Sequence, residues 1–182
     1  MNEPEIQLHD KTFVPYIHRE EISQAIKKLA NRINEDFEGQ EVILLGILDG
    51  AFMVLSDLVK NLSVNCYIDF VKFKSYVGQQ STGKGKQLLG ASLDLKDKNV
   101  IIVEDIIDTG HTLTELRAVL AGFQPKSLGV LTLLIKEEVF KNKFPVNYSG
   151  ISIDNKFVVG YGMDYDGLGR HIPDIYVLKD PS

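Results

Sequence analysis

The chain has 182 residues, of which 44% are apolar and 25% charged, the composition of an ordinary globular domain long enough for one substantial core. Its 20 basic and 25 acidic residues leave a net charge of −5, which argues against the basic field of a nucleic-acid binder. No apolar run approaches the ~20 residues of a membrane span, the opening Met-Asn-Glu-Pro-Glu lacks the basic-then-apolar order of a secretory signal, and the lone Cys66 has no partner for an internal disulfide; the expectation is a cytoplasmic protein with neither a nucleic-acid nor a membrane partner.

Residues 1–17 carry Pro4 and Pro15 and are predicted to form an irregular arm or a short edge strand. From Arg19 to Phe37 the apolar positions Ile22, Ile26, Leu29, Ile33 and Phe37 keep helical spacing, which predicts an amphipathic helix. Val42 to Leu48 is a continuous apolar strand. Asp49-Gly50-Ala51 then turns into a helix through Phe52, Leu55, Leu58 and Val59. That loop is either a plain strand-to-helix turn or an anion site at a helix start. Tyr67 to Lys74 reads as a strand, and the polar, glycine-rich run from Ser75 to Lys86 as a mobile loop.

The densest chemistry follows a turn at Lys96-Asp97-Lys98-Asn99. Val100-Ile101-Ile102-Val103 suits a strand buried on both faces. Glu104, Asp105 and Asp108 come next, then Thr109-Gly110-His111-Thr112, then a helix to about residue 121 with Leu113, Leu116 and Leu120 on one face. The reading is strand, tight loop, helix, with free backbone N–H groups offered to a phosphate. Three carboxylates beside such a loop would repel a bare anion. They make sense if they hold hydroxyls, a proton or a divalent cation while the loop holds the phosphate. A ribose 5-phosphate has that polarity. The bland alternative is acids that cap the helix, which needs one carboxylate and not three. Glu104 and Asp105 are adjacent, so both reach one ligand only if the strand ends there.

Beyond Gly122 and Pro125, Ser127 to Ile135 is another buried strand, and Lys136 stands at its carboxyl end, where a lone lysine is usually solvated. Residues 140–148 read as a connecting loop. Residues 151–153 and 157–161 read as short strands, and 174–178 as a closing strand. Phe157 taken alone would be a core aromatic. His9, His18, His111 and His171 lack metal-ligand spacing. Two rival motifs are weaker. Asp108-Thr109-Gly110 matches the tripeptide of aspartic proteases, but that chemistry needs two aspartates sharing a proton, and a strand-to-helix context does not supply them. Gly78 to Gly85 approaches a P-loop, but glycine stands where a hydroxyl would bind Mg²⁺.

The run from Val100 to Leu113 resembles the phosphoribosyl-pyrophosphate (PRPP) signature of the type I phosphoribosyltransferases, and its Glu-Asp-Ile-Ile-Asp-Thr-Gly form resembles the hypoxanthine-guanine branch. Leu48-Asp49-Gly50-Ala51, Lys74-Ser75-Tyr76 with Ser81-Thr82-Gly83, and Lys156 to Tyr161 with Asp164-Tyr165 are similar to further motifs of that branch, in the family's order over residues 40–175. The resemblance implies an α/β fold: a mostly parallel sheet flanked by helices, in a single domain spanning residues 1–182, with a small hood from about 1–17 and 150–182 over the base.

It also implies roles. Glu104 and Asp105 would orient the ribose hydroxyls. Asp108, Thr109, Gly110, His111 and Thr112 would hold the 5′-phosphate, with Asp108 as general base toward N7 of the purine. Leu48, Asp49, Gly50 and Arg170 would bind pyrophosphate, although many relatives carry a basic residue where Asp49 stands. Ser75 and Tyr76 would form a lid that excludes water. Lys136, Lys156, Phe157, Val158 and Asp164 would hold the purine, the lysines donating to a 6-oxo group and Phe157 stacking on the ring. Glu104, Asp105 and Asp164 would be carboxylates for Mg²⁺. The expected substrates are PRPP and a 6-oxopurine, in a homodimer or homotetramer. A PRPP- or nucleotide-sensing regulator with the same fold, or an enzyme preferring xanthine or adenine, is the alternative.

Overall fold

The computed structural model describes residues 4–74, 87–89, 94–141 and 143–179. In chain order the elements are β1 (Ile6–Leu8), β2 (Lys11–Ile17), α1 (Arg19–Asp36), β3 (Glu41–Ile47), α2 (Phe52–Val59), β4 (Asn65–Lys74), β5 (Gln87–Leu89), β6 (Asn99–Ile107), α3 (His111–Ala121), β7 (Ser127–Ile135), α4 (Glu137–Phe140), β8 (Tyr148–Ser152), β9 (Val158–Val159) and β10 (Ile175–Leu178). The expected apolar runs become a six-stranded sheet in the order β5-β4-β3-β6-β7-β8. Its five strands from β4 to β8 are parallel and β5 is antiparallel. Helices α1 and α2 cover one face and α3 the other. The central strands are apolar on both sides because both sides are covered: Val42 and Leu44 of β3 pack toward α1 and α2, Ile43 and Leu45 toward α3.

That alternation changes phase toward the carboxyl ends. On β6, Ile101 and Val103 face the α1 side, but so does Ile106, while Ile107 faces the α3 side. On β7, Leu131 and Leu133 face the α1 side, and so does Leu134, with Ile135 opposite. The pairing register is kept across the break, with Asp105 and Leu133 as unpaired neighbours in the β6–β7 ladder. The break continues into β8, where Gly150 is skipped between the Thr132–Ser149 and Leu134–Ile151 pairs.

A second, four-stranded antiparallel sheet, β1-β2-β10-β9, forms the hood. Residues 6–17 therefore supply a hairpin whose first strand, β1, is the short edge strand of the two expectations, with Pro15 opposite Tyr176 at a register shift. The hood's carboxyl part begins later than expected from 150, because Tyr148–Ser152 pairs with β7 in the main sheet. Asp174 fastens the hood to the main sheet's helix layer: Oδ1 accepts the Arg19 backbone N–H at 2.7 Å and the Arg19 guanidinium spans both oxygens. It acts where α1 needs a cap, since His18 supplies no side-chain cap there.

Candidate functional site

The carboxyl ends of β3, β6 and β7 meet the underside of the hood, where an open parallel sheet binds its ligands. Together they line a cavity of about 240 Å³. Gly50 comes from the loop after β3, Asp105, Ile106 and Asp108 from the end of β6, and Lys136 follows β7. Phe157, Val158, Met163, Asp164 and Arg170 come from the hood side. A larger hollow of about 490 Å³ lies around Glu38 and Ser63, at the amino ends of β3 and β4, away from these convergent groups.

The loop after β3 is held by close backbone approach. The Leu48–Asp49 peptide bond is cis. A Cβ on Gly50 would lie 1.8 Å from Asp105 Oδ2, and one on Gly162 would lie 2.1 Å from the Gly50 carbonyl oxygen. Only glycine fits at either position, so Gly50 is clamped between an acid of the main sheet and the hood. Asp49 is not free to repel a phosphate: its carboxylate accepts two contacts from Lys72 Nζ on β4, at 2.9 and 2.7 Å. Lys72 was not legible as a partner from sequence, because the pair spans 23 residues.

Asp105 is 8% exposed. Oδ1 accepts the Ile106 N–H at 2.7 Å. Burial pushes its carboxyl up to about 6; the backbone N–H groups of Ile106 and Asp105, then Arg170, pull the other way, and Asp164 adds to the rise. Burial, with the neighbouring Asp105, also raises Glu104 well above the ordinary carboxyl value. β6 continues to Ile107; Asp105 lines the cavity, and Glu104, its neighbour on the strand, is not among the lining residues. The strand does not end at these acids, as both reaching one ligand would have required: it runs on to Ile107, with the phase break between Val103 and Ile106.

Asp108 and Lys136 form an ion pair, Nζ to Oδ2 2.7 Å. Lys136 is buried and Asp108 half-exposed, so the lysine lines the cavity, as the resemblance implied, and is not solvated as a lone lysine after a strand usually is. Asn155 Oδ1 lies 3.4 Å from the same Nζ. The loop between carries Gly110 at φ +70°, as the residue before α3, with no side-chain cap. A Cβ there would meet the Phe140 ring at 2.7 Å. The first N–H groups of α3 have no intrahelical acceptor and are available to an anion. Thr109 stands on this loop and Thr112 in the first turn of α3, both exposed; the Thr109 hydroxyl lies 3.5 Å from the His111 backbone nitrogen.

On the hood, Phe157 is 43% exposed and backed by Tyr165, edge-on at 5.8 Å, and by Phe13 at 6.1 Å. It is an aromatic shelf and not a core residue. Val158 is buried beside it in β9. Arg170 donates to the Gly162 carbonyl at 2.6 Å and pairs with Asp164 Oδ1 at 2.6 Å. Lys156 is not brought to the cavity: its ammonium lies 5.0 Å from the Tyr16 ring centre and 3.4 Å from Asp154. Ser75 and Tyr76, with the rest of the expected lid and the P-loop-like run, lie outside the described residues. Ile106 and Met163 were missed; an apolar side chain beside a carboxylate in a strand carries no signal of its own.

For a divalent cation, Asp105 and Asp164 face the same cavity, but among the described residues no three His, Cys, Asp or Glu side chains form a group that could cage an ion. Glu104 thus does not complete the expected three-carboxylate set. Two carboxylates fit the way Mg²⁺ is usually held, by one or two acids together with substrate phosphates.

Compared with known proteins, residues 16–166 match the phosphoribosyl transferase domain. Hypoxanthine phosphoribosyltransferase of Escherichia coli is 40% identical over 158 residues, covering 85% of this chain and 89% of that protein. Hypoxanthine-guanine phosphoribosyltransferase of Aquifex aeolicus is 32% identical over 96% of this chain and 99% of its own. The crystal structure of a hypoxanthine-guanine phosphoribosyltransferase from Bacillus anthracis superposes with a TM-score of 0.83 at 36% identity, over 91% of this chain and 98% of that one.

Proposed function

We infer the function from the premise that this chain belongs to the phosphoribosyl transferase domain family and, within it, to the hypoxanthine and hypoxanthine-guanine phosphoribosyltransferases. Its reaction is purine salvage: the 5-phosphoribosyl group passes from PRPP to hypoxanthine or guanine, giving the nucleoside monophosphate and pyrophosphate. The observation that carries the assignment of roles is the Asp108–Lys136 pair at 2.7 Å facing the Phe157 shelf. O6 and N7 are neighbours on one edge of a 6-oxopurine. A base that places O6 on the Lys136 ammonium therefore brings N7 to Asp108. The lysine is a donor, which favours a 6-oxo group over the 6-amino group of adenine. Phe157 and Ile106 supply apolar surface for the ring.

Asp108 then takes or returns the proton at N7 as the glycosidic bond forms or breaks. The backbone of residues 109–112 anchors the 5′-phosphate and so fixes the anomeric carbon against the base. The loop at residues 48–50 and Arg170 bind the departing pyrophosphate through backbone N–H groups and a guanidinium fork. Asp105 and Asp164 would hold Mg²⁺, which supplies charge neutralisation on the leaving pyrophosphate. Asp105, which lines the cavity, would also accept from a ribose hydroxyl. A cytoplasmic location and assembly into a homodimer or homotetramer complete the proposal.

A base panel tests it. Purified protein, PRPP and Mg²⁺ are incubated separately with hypoxanthine, guanine, xanthine, adenine and uracil while nucleotide formation is followed. Turnover of hypoxanthine, with or without guanine, is expected. Binding of PRPP with no turnover of any base would favour the regulatory alternative, and turnover confined to xanthine or adenine would overturn the specificity.

A further inference from the structure

The phosphate loop has a neighbour that the reaction scheme above does not use. Residues 108–112 carry no lysine or arginine, and the carboxylates of Glu104, Asp105 and Asp108 lie within a few residues of it. Among the described residues, three cations near the cavity's acids are paired, Lys136 with Asp108, Arg170 with Asp164 and Lys72 with Asp49. Yet a phosphate dianion bound there needs positive potential. The segment after α4 supplies it. Lys143 Nζ donates to the Thr109 carbonyl oxygen at 2.7 Å. The rings of Phe140 and Phe144, on either side of it in sequence, close on the Cα of Gly110, and they pack edge-to-face on each other at 4.8 Å.

Building on the reading of residues 109–112 as the 5′-phosphate site, we propose that Lys143 is a positioning residue for phosphoribosyl binding, acting from behind the loop through the Thr109–Gly110 peptide. In a trans peptide the carbonyl and the N–H point in opposite directions. A cation on the Thr109 carbonyl therefore leaves the Gly110 N–H directed away from Lys143, toward the ligand side of the loop. The ammonium polarises that peptide, so its N–H becomes a stronger donor to phosphate. It also fixes the peptide plane, which otherwise could rotate beside the left-handed Gly110. The two phenylalanines hold the Cα while the lysine holds the carbonyl. The ammonium remains exposed, so its charge is not buried at cost.

The test is kinetic and uses the full-length protein with Lys143→Met and Lys143→Arg. Steady-state constants for PRPP and hypoxanthine are measured with inhibition by ribose 5-phosphate and, separately, by pyrophosphate. Lys143→Met is expected to raise the KM for PRPP and the inhibition constant for ribose 5-phosphate together, by about five- to tenfold, the scale of one partly exposed charge-assisted hydrogen bond. The pyrophosphate constant, the hypoxanthine KM and kcat should stay within about twofold, and Lys143→Arg should restore the first two constants. A merely structural role would move the pyrophosphate and phosphate constants alike, and that result, or no change in either, overturns the proposal. If ribose 5-phosphate fails to compete with PRPP in the unsubstituted protein, the assignment of the loop itself falls, and the role of Lys143 with it.

Discussion

Asp105 should cost the free protein stability at neutral pH. Its carboxyl sits at about 6 when folded, against an ordinary 3.8, chiefly because burial penalises the charged form. Between about pH 4 and pH 6 the folded chain holds a proton at Asp105 that the unfolded chain has released. Stability from this group therefore falls as pH rises through that window and stays low above it. The gap between 3.8 and about 6, at 1.36 kcal/mol per pKa unit, amounts to roughly 3 kcal/mol at pH 7. Asp105→Asn removes the charge and keeps an oxygen for the Ile106 N–H at 2.7 Å. We expect the variant, free of ligand and metal, to be more stable than the parent by about 1–3 kcal/mol at pH 7.5 and by little at pH 4. Urea denaturation from pH 4 to 8 reads both. Mg²⁺ with PRPP should stabilise the parent more than the variant. If the variant is no more stable at pH 7.5, or if the two pH profiles are parallel, a buried charge at Asp105 is not a source of instability.

Asp108→Asn should lower the single-turnover rate by about 10²–10⁴-fold, the range of a general base; an unaltered rate would remove that role. Gly50→Ala places a methyl 1.8 Å from Asp105 Oδ2, so the loop or the carboxylate must shift. Activity should fall by about 10²-fold, as for a misplacement near 1 Å, and near-parental kcat/KM would show that the clamp is not needed. Asp174→Ala removes the cap on α1 and the Arg19 pair, and should cost about 1–2 kcal/mol in urea denaturation at pH 7. The hydrogen bonds from Arg19 hold Asp174 below the usual carboxylate value, so its contribution is present above pH 4 and fades as pH falls below that. The loss in the variant should shrink accordingly at pH 3; a constant difference would mean that charge at Asp174 plays no part.

The main sheet was readable because doubly covered strands must be largely apolar, and Val42–Leu48, Val100–Val103 and, but for Thr132, Leu128–Ile135 are. The amphipathic α1 was readable because one face only is covered. The acids at the end of β6 and just after it marked the site, since nothing in a buried strand otherwise calls for Glu104 and Asp105, with Asp108 following. What was not readable depends on distance in sequence. Lys136 looks like any lysine after a strand until Asp108, 28 residues earlier, is seen to hold it. Asp49 looks repulsive until Lys72 is placed beside it. Lys156, next to Phe157, looks like a partner of the base, yet the chain points its ammonium to Tyr16. The hairpin at residues 6–17 could not be distinguished from an arm because its partner, β10, lies at the other end of the chain.

The phase break that passes Asp105 is a property of three strands and not of one. It runs like a fault line from Asp105 through Leu133 to Gly150, each omitted from the pairing while the register on either side is kept. At Gly150 the fault reaches the edge of the sheet, where a Cβ would press on the Leu133 carbonyl oxygen at 2.6 Å. The edge lies two strand spacings from Asp105, roughly 10 Å. A side chain at 150 would have to push β8 away from β7, at the strand edge of the same break that passes Asp105. The break is in this respect shared by three neighbouring strands, like one dislocation crossing a lattice.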